Sequence, residues 1–402
     1  MLIRKAFKYR LKTNQQIESK MAQFAGCCRF VWNKALALQK ERLEAGEYCL
    51  PYPEMAAELL KWKTDPESSF LKEAPSQTLQ QTLKDLDKAL KEAFDKKSPK
   101  RFPRFKKKGL HDSFRFPQGF RVDGNRLFLP KIAWVRFFKS RDIEGLPKNI
   151  TVSRQGEHWF ASVQVETEIG QPVHPSRSAI GIDMGVKRFA TLSDGSYIEP
   201  LSSFRKLEAR LAREQRKLSR KAKGSNNRRK QKAKVGQIHI KISNVRNDFI
   251  HKASTTISKS HAVVGLEDLR IRNMSLSAKG DLDEPGRNVR AKSGLNKSIL
   301  DQGWHEFRRQ LEYKQNWSGG MVIAVPPQNT SRTCPVCGLV SRENRKTQSR
   351  FACVQCGFVE NADFVAAMNI LAVGHTVAAC GEAVRPKLSV RAASAKQESP
   401  AL

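Results

Sequence analysis

Three acidic residues stand where carboxylates can do chemistry. Asp183 ends the run Ala179-Ile-Gly-Ile-Asp, Glu267 ends Ala262-Val-Val-Gly-Leu-Glu, and Asp363 follows Asn361-Ala at the head of Phe364-Val-Ala-Ala-Met-Asn-Ile. The first two runs are short and apolar, the pattern of buried strands, and the third has the composition of a helix. One acid at a strand end is usually a cap or turn residue. Three, on separate elements of one α/β core, suit hydrolysis of a phosphodiester. Carboxylates hold Mg²⁺, and a pair of ions ~3.5–4 Å apart activates water and neutralises charge on the phosphorane. Gly181 and Gly185 flank the first acid and are expected to let a nucleic-acid backbone approach closely.

The rest of the chain must position these acids and attract the substrate. At 402 residues it exceeds one ordinary core, so two to four units are expected. Formal net charge is +34, from 73 Lys+Arg against 39 Asp+Glu, an excess that calls for a polyanionic partner. Membrane surface is the rival to nucleic acid. No apolar run approaches the ~18 residues of a spanning helix, and neither a lipidation signal nor a secretory leader is visible. Of eight cysteines, four lie between Cys334 and Cys356, while Cys27, Cys28, Cys49 and Cys380 are scattered. Reduced thiols and one metal site fit a cytosolic compartment.

Cys334-Pro-Val-Cys337-Gly and Cys353-Val-Gln-Cys356-Gly are separated by fifteen residues. Each C-x2-C turn faces two thiolates to one ion, and two such knuckles predict structural Zn²⁺ with four sulfur ligands and no open position. Asp363 follows Cys356 by only seven residues, so this ribbon is expected to help fix the helix carrying that acid. Arg342, Arg345, Lys346 and Arg350 make its loop a candidate nucleic-acid contact.

Residues 1–12 alternate, with Ile3, Phe7, Tyr9 and Leu11 on one side and Arg4, Lys8, Arg10 and Lys12 on the other, predicting a half-buried strand with a cationic face. Thr13-Asn-Gln-Gln16 has the form of a capping box. Apolar stripes Ile17, Met21, Phe24, Cys28, Val31, Ala35, Leu38 and Leu79, Leu83, Leu86, Leu90, Phe94, with a helical piece around Met55–Trp62, predict a helical bundle over 13–96. Lys96–Lys108 is a basic linker with Phe102 and Phe105 interleaved, and Arg104, Lys106 and Lys107 are candidate contacts. Short alternating segments to Glu168 predict a small β-barrel over 97–175, completed by residues 1–12. The α/β core follows from 176, with strands at Ala179–Asp183, Phe189–Leu192, His261–Glu267 and Met321–Val325 and a helix over Ile299–Tyr313. Within it, 201–258 reads as a helical hairpin. Arg205 to Lys234 holds fourteen Lys/Arg and two Glu, and such like-charge crowding predicts that the hairpin lies on nucleic acid. Arg216, Lys217, Arg220, Arg228, Arg229 and Lys230 are its candidate contacts. The alanine-rich stretch 375–402 is expected to be poorly ordered.

Gly181-Ile-Asp-Met-Gly-Val-Lys-Arg-Phe-Ala-Thr-Leu-Ser-Asp-Gly195 resembles the first RuvC-type motif of the TnpB proteins, transposon-encoded relatives of type V CRISPR nucleases. Leu266–Met274 is similar to the second motif, while Pro327–Gly338 and Cys353–Ile370 match the ribbon and third motif. Arg29-Phe-Val-Trp-Asn-Lys34 is also typical of the family. The resemblance implies an RNase H-like (RuvC) nuclease domain over 176–330 and 358–374, with Asp183, Glu267 and Asp363 as catalytic Mg²⁺ ligands and the ribbon inserted at 331–357. It further implies a recognition bundle, a wedge-like barrel, and a DNA endonuclease guided by RNA from the transposon end. Strand transfer would belong to a separate tyrosine enzyme, and the resemblance places the protein in the cytoplasm of a bacterium or archaeon, associated with the nucleoid. The alternative is a guide-directed DNA binder or accessory transposition factor that does not cut; such binders typically lose one of the acids, and all three remain here. The third motif departs from the usual pattern at Val365, where an Asn is expected, a loss predicted to weaken substrate positioning.

Overall fold

A computed structural model of the chain describes residues 1–281, 284–379 and 395–398. The chain divides into two compact units, one built on Leu2–Glu168 and the other beginning at Ile169.

In the first unit, β1 (Leu2–Lys12) buries Ile3, Phe7, Tyr9 and Leu11, as its alternation requires. Helix α1 (Gln15–Glu44) is capped by Asn14, whose side chain accepts from the Ile17 amide; Thr13 instead bonds Glu18. The cap is thus one residue later than the capping-box reading places it. Helices α2 (Tyr52–Thr64) and α3 (Ser76–Phe94) follow, and α3 buries Leu79, Leu83, Leu86 and Leu90 while Phe94 is exposed. Then come β2 (Ser113–Phe116), β3 (Arg121–Asp123), β4 (Arg126–Leu129), β5 (Ala133–Phe137), β6 (Leu146–Gln155) and β7 (His158–Glu168). They pair in the order β2-β6-β7-β1-β5-β4-β3, so the N-terminal strand is central, with β7 on one side and β5 on the other. Helices and sheet share one continuous core that includes Met21, Leu36, Leu86, Phe116, Val135 and Trp159.

The second unit is built on β8 (Ala179–Asp183), β9 (Ala190–Leu192) and β10 (Tyr197–Ile198), joined by tight antiparallel turns. Helices α4 (Ser203–Ser219) and α5 (Asn226–Ser260) form the expected hairpin around Leu211, Val235, Ile238 and Ile242. Strand β11 (Val263–Glu267) returns parallel to β8, followed by the single turn α6 (Ile271–Met274). The helix expected over Ile299–Tyr313 is two helices, α7 (Val289–Gln302) and α8 (Trp304–Ser318), broken at Gly303 with φ of 73°. A left-handed residue ends one helix, and the chain restarts as another. Strand β12 (Met321–Val325) pairs parallel to β11, giving the order β10-β9-β8-β11-β12. A ribbon with β13 (Arg350–Ala352) and β14 (Val359–Asn361) leads directly into α9 (Ala362–Ala379). The stretch expected to be poorly ordered begins inside α9, and most of it lies outside the described residues, as does Cys380.

Candidate carboxylate and zinc centres

Asp183 and Glu267 are the last residues of adjacent parallel strands, where Ile182 sits opposite Leu266. Both carboxylates therefore emerge at the carboxyl ends of the strands, the usual ligand position in open α/β sheets. Asp363 lies in the first turn of α9. That turn is fixed by Asn361, whose side-chain oxygen accepts from the Asp363 amide at 3.0 Å and the Phe364 amide at 3.4 Å.

Helix α9 lies on the sheet at a distance only glycine permits. A Cβ on Gly181 would come within 2.2 Å of the Ala367 carbonyl oxygen and 2.6 Å of the Leu371 amide nitrogen. One on Gly265 would meet Ile370 at 3.1 Å. The expectation that Gly181 makes room for nucleic acid is therefore corrected: it makes room for the helix bearing the third acid. Gly185 is likewise approached from within the chain, by the Arg188 carbonyl.

The three acids are electrostatic neighbours. Burial first, and then the charges of Glu267 and Asp363, push the Asp183 carboxyl up to about 8, against the opposing pull of Arg345. Burial also raises Glu267, while a hydrogen bond from Thr330 and the charge of Arg345 draw it back. The Thr330 hydroxyl donates to Glu267 at 2.6 Å. Asn369 of α9 donates to the carbonyls of Thr330 and Thr333 at 2.7 and 2.8 Å, tying the loop before the ribbon to the helix that carries Asp363. A buried carboxyl crowded as Asp183 is holds its proton unless a cation neutralises it. The chain's own cation here is Arg345, with its guanidinium 3.6 Å from Asp363. The sequence marks Arg345 only as a charge on the ribbon loop; its place among the carboxylates emerges from the fold. Thr330 carries no sequence signal of its role beyond lying in the ribbon motif.

The four sulfurs of Cys334, Cys337, Cys353 and Cys356 all lie within 4.8 Å of one another, with Cys334–Cys356 at 3.6 Å and Cys337–Cys353 at 3.5 Å. Thiolates at ~2.3 Å from one tetrahedral zinc would be about 3.8 Å apart, so the cluster fits a single ion with no open position. Gly338 and Gly357 close the two knuckles in the left-handed region, at φ of 76° and 72°. Val365 is fully buried in the apolar cluster formed by Cys334, Phe351, Cys353 and Ala362. Its side chain packs α9 to the ribbon, a role that the departure from the usual motif does not announce.

The expected nucleic-acid contacts divide. Arg104, Lys107, Arg216, Arg220, Arg229 and Lys230 are exposed. Lys217 is exposed and bonded to Glu214, Arg4 to Glu166, and Lys8 to Gln155, while Arg10 stacks on Phe138. Arg228 donates from one nitrogen to the carbonyls of Leu218 and Lys221, both at 2.8 Å, so it closes the carboxyl end of α4. Lys106 lies over the Trp32 ring at 3.8 Å. That indole donates to the Arg104 carbonyl, and Asn33 makes two hydrogen bonds to the Lys106 backbone, at 2.8 and 3.0 Å. Arg29 pairs with Asp112 at 2.9 Å. The Arg29–Lys34 motif is therefore a clasp that holds the basic segment in one extended course.

Comparison with known proteins follows the same lines. Residues 161–278 match the family described as "Probable transposase" (OrfB of IS605), and 304–370 match the "Cas12f1-like, TNB domain" family. Residues 1–47 match a "Helix-turn-helix domain" family, although they form here a strand and one unbroken helix. The chain is 54% identical over 382 residues to the "Putative RNA-guided DNA endonuclease InsQ" of Escherichia coli K12, covering 94% of each. It is 34% identical over 392 residues to a "Putative RNA-guided DNA endonuclease" of Streptomyces pristinaespiralis, covering 96% of this chain and 93% of the other. Its fold is similar to the protein in a Cas12f1–guide RNA–target DNA complex, with a TM-score of 0.52 at 18% identity over 89% of this chain and 83% of that one.

Proposed function

The chain belongs to the TnpB (IS605 OrfB) family, and from that premise we propose that it is a transposon-encoded, RNA-guided DNA endonuclease whose active site is formed by Asp183, Glu267 and Asp363. The observation that carries this reading is the Asp183 carboxyl, raised to about 8 by burial beside the other two acids. A buried carboxyl that holds its proton at neutral pH beside two further acids is a place that divalent cations would neutralise. The order β10-β9-β8-β11-β12, with acids at the ends of two parallel central strands, supports an RNase H-like (RuvC) domain. Magnesium ions bound by the three carboxylates would supply water activation and charge neutralisation at the scissile phosphate. The chain's own contributions are positional. Thr330 orients Glu267, Asn361 fixes the turn that presents Asp363, and Arg345 adds a positive charge beside both. The four cysteines would hold zinc structurally, keeping the ribbon and α9 in register.

Base pairing with the guide would select the target, while the basic surfaces of hairpin α4–α5 and segment 96–108 hold phosphates without reading sequence. The N-terminal sheet would serve as the wedge-like element of the family. Strand transfer falls to a separate enzyme on this reading, since the chain has five tyrosines and no His-x-His pair. The test is cleavage of target DNA by purified ribonucleoprotein. Asp183→Ala should abolish Mg²⁺-dependent cutting while leaving RNA bound, and equal cutting by wild type and variant would remove the proposed site.

A further inference from the structure

The four-cysteine ribbon presents its sulfurs unequally. Cys334 and Cys353 are buried, whereas Cys337 and Cys356 are exposed. Each exposed sulfur stands beside a buried one of the other knuckle, Cys356 at 3.6 Å from Cys334 and Cys337 at 3.5 Å from Cys353. Sulfurs that hold zinc are thiolates, the form that a peroxide oxidises. The other described cysteines are poorer targets. Cys27 and Cys28 are buried, and burial pushes the Cys27 thiol up to about 11. Burial raises Cys28 and Cys49 as well.

The same ribbon holds the groups that address the carboxylates. Asn344 is buried between the knuckles, where its side-chain nitrogen donates to the carbonyls of Arg332 and Leu339 at 2.9 and 3.0 Å. Its oxygen accepts from the Val354 amide of the second knuckle at 3.1 Å. The next residue is Arg345, beside Asp363. Thr330, which donates to Glu267, lies on the segment that leads into Cys334. After the second knuckle, β14 ends at Asn361, which fixes the turn bearing Asp363. Besides two of the cysteines, the buried core of the ribbon is only Phe351, Ala362 and Val365. So small a core does not keep a ribbon folded without its metal.

We propose that the ribbon is a redox switch on the nuclease site, in which peroxide converts the four zinc thiolates to two cross-knuckle disulfides, Cys334–Cys356 and Cys337–Cys353. The switch rests on the reading of the three acids as the active site. In each pair the exposed thiolate attacks a peroxide oxygen and the O–O bond breaks, giving a sulfenic acid and, with one proton, water. The buried thiolate then attacks that sulfur. The S–S bond forms, the S–O bond breaks, and a second proton carries the oxygen away as water. Each pair thus gives two electrons to one peroxide, and the zinc leaves once both pairs are oxidised. Bonded sulfurs stand ~2.05 Å apart, so each pair closes by about 1.5 Å. Zinc loss also loosens the knuckles around Asn344, and Arg345, Thr330 and Asp363 move with them. A misplacement of about 1 Å is enough to cost about a hundredfold in rate.

The test titrates the zinc-loaded ribonucleoprotein of the full chain with hydrogen peroxide, alongside its Asp183→Ala counterpart. A chromogenic chelator reads released zinc, non-reducing peptide maps read disulfides, and hydrogen exchange reads the backbone. Zinc should leave as the two named disulfides appear, and amides from Thr330 to Thr333 and in the first turn of α9 should lose protection. Cutting by the wild type should fall about a hundredfold in step with zinc release, and dithiothreitol with Zn²⁺ should restore it. Recovery separates the switch from methionine oxidation, which needs a dedicated reductase. Normal cutting by the oxidised, zinc-free protein overturns the proposal. So do retained protection in α9, oxidation of Cys27, Cys28, Cys49 or Cys380 ahead of the ribbon, or failure to recover. Zinc release, mapping and exchange do not depend on cleavage and should be the same in Asp183→Ala. If the oxidised wild type cuts normally while Asp183→Ala does not cut, the switch fails and the active site stands. If Asp183→Ala cuts, the active-site reading fails and the oxidation results remain interpretable.

Discussion

Asp183→Asn should stabilise the magnesium-free protein while ending its activity. In the folded chain the Asp183 carboxyl is raised to about 8, chiefly by burial and then by Glu267 and Asp363. In the unfolded chain it titrates near 3.9. The folded state therefore binds this proton more tightly than the unfolded state, and stability falls as pH rises from about 4 towards about 8. At pH 7 the folded carboxyl is largely protonated and the unfolded one ionised. With about 1.4 kcal/mol per pH unit, the cost is on the order of 4 kcal/mol. Asparagine has the same shape and no proton to capture, so the substitution should recover much of that amount. Urea unfolding in magnesium-free buffer, followed by amide exchange in β8 and β11, measures it. The advantage of the variant should be small near pH 4, grow through pH 7 and level off above pH 8. Added Mg²⁺ should then stabilise the wild type and leave the variant unchanged. A variant no more stable than wild type throughout pH 4–8 would mean that Asp183 is not crowded by its two partners, and the proposed carboxylate site would fail with it.

Gly181→Ala should abolish cleavage and cost on the order of 1–3 kcal/mol of stability, because the added methyl would sit 2.2 Å from the Ala367 carbonyl oxygen; cleavage and denaturation assays on the same preparation check both. Thr330→Val removes the hydrogen bond to Glu267 without changing the side chain's shape. A bond to the charged form lowers a carboxyl pKa, so its loss raises Glu267 further, and the acidic limb of the pH–rate profile should move to higher pH. Stripping zinc with a thiol-reactive mercurial should release one ion per chain and expose the amides of the first turn of α9 to exchange together with those of the ribbon, since Val365 packs that helix to Cys334 and Cys353.

Much of the site was legible because its signals are local. A strand that ends in an acid, a C-x2-C knuckle and a charge-dense hairpin each declare themselves within a dozen residues, and the structure places β8, β11 and the cysteine cluster where those patterns do. The misreading of Gly181 concerns what a residue meets at a distance, since α9 comes from far along the chain. Arg228 and Lys106 likewise have partners that the sequence does not announce, the carboxyl end of α4 and the Trp32 ring of α1. The helix over 299–313 failed differently. Its apolar spacing is continuous, and only the positive φ of Gly303 divides it, a conformation that composition permits but does not announce.

The glycine before each strand-end acid carries a further signal in the sequence. Gly181-Ile-Asp183 and Gly265-Leu-Glu267 share one spelling, glycine two places ahead of the acid. Residues two apart in a strand point to the same face, so each acid faces the side on which its glycine receives α9. The contact at Gly181 is with Ala367 and Leu371, and Asp363 lies one helical turn before Ala367. Two strand residues advance about 6.6 Å and four helical residues about 6 Å. A helix running against the strands from that contact therefore brings Asp363 level with Asp183. The two glycines therefore set how closely Asp363 approaches the strand-end acids. A larger side chain at either would lift the helix away from them with all three acids still present.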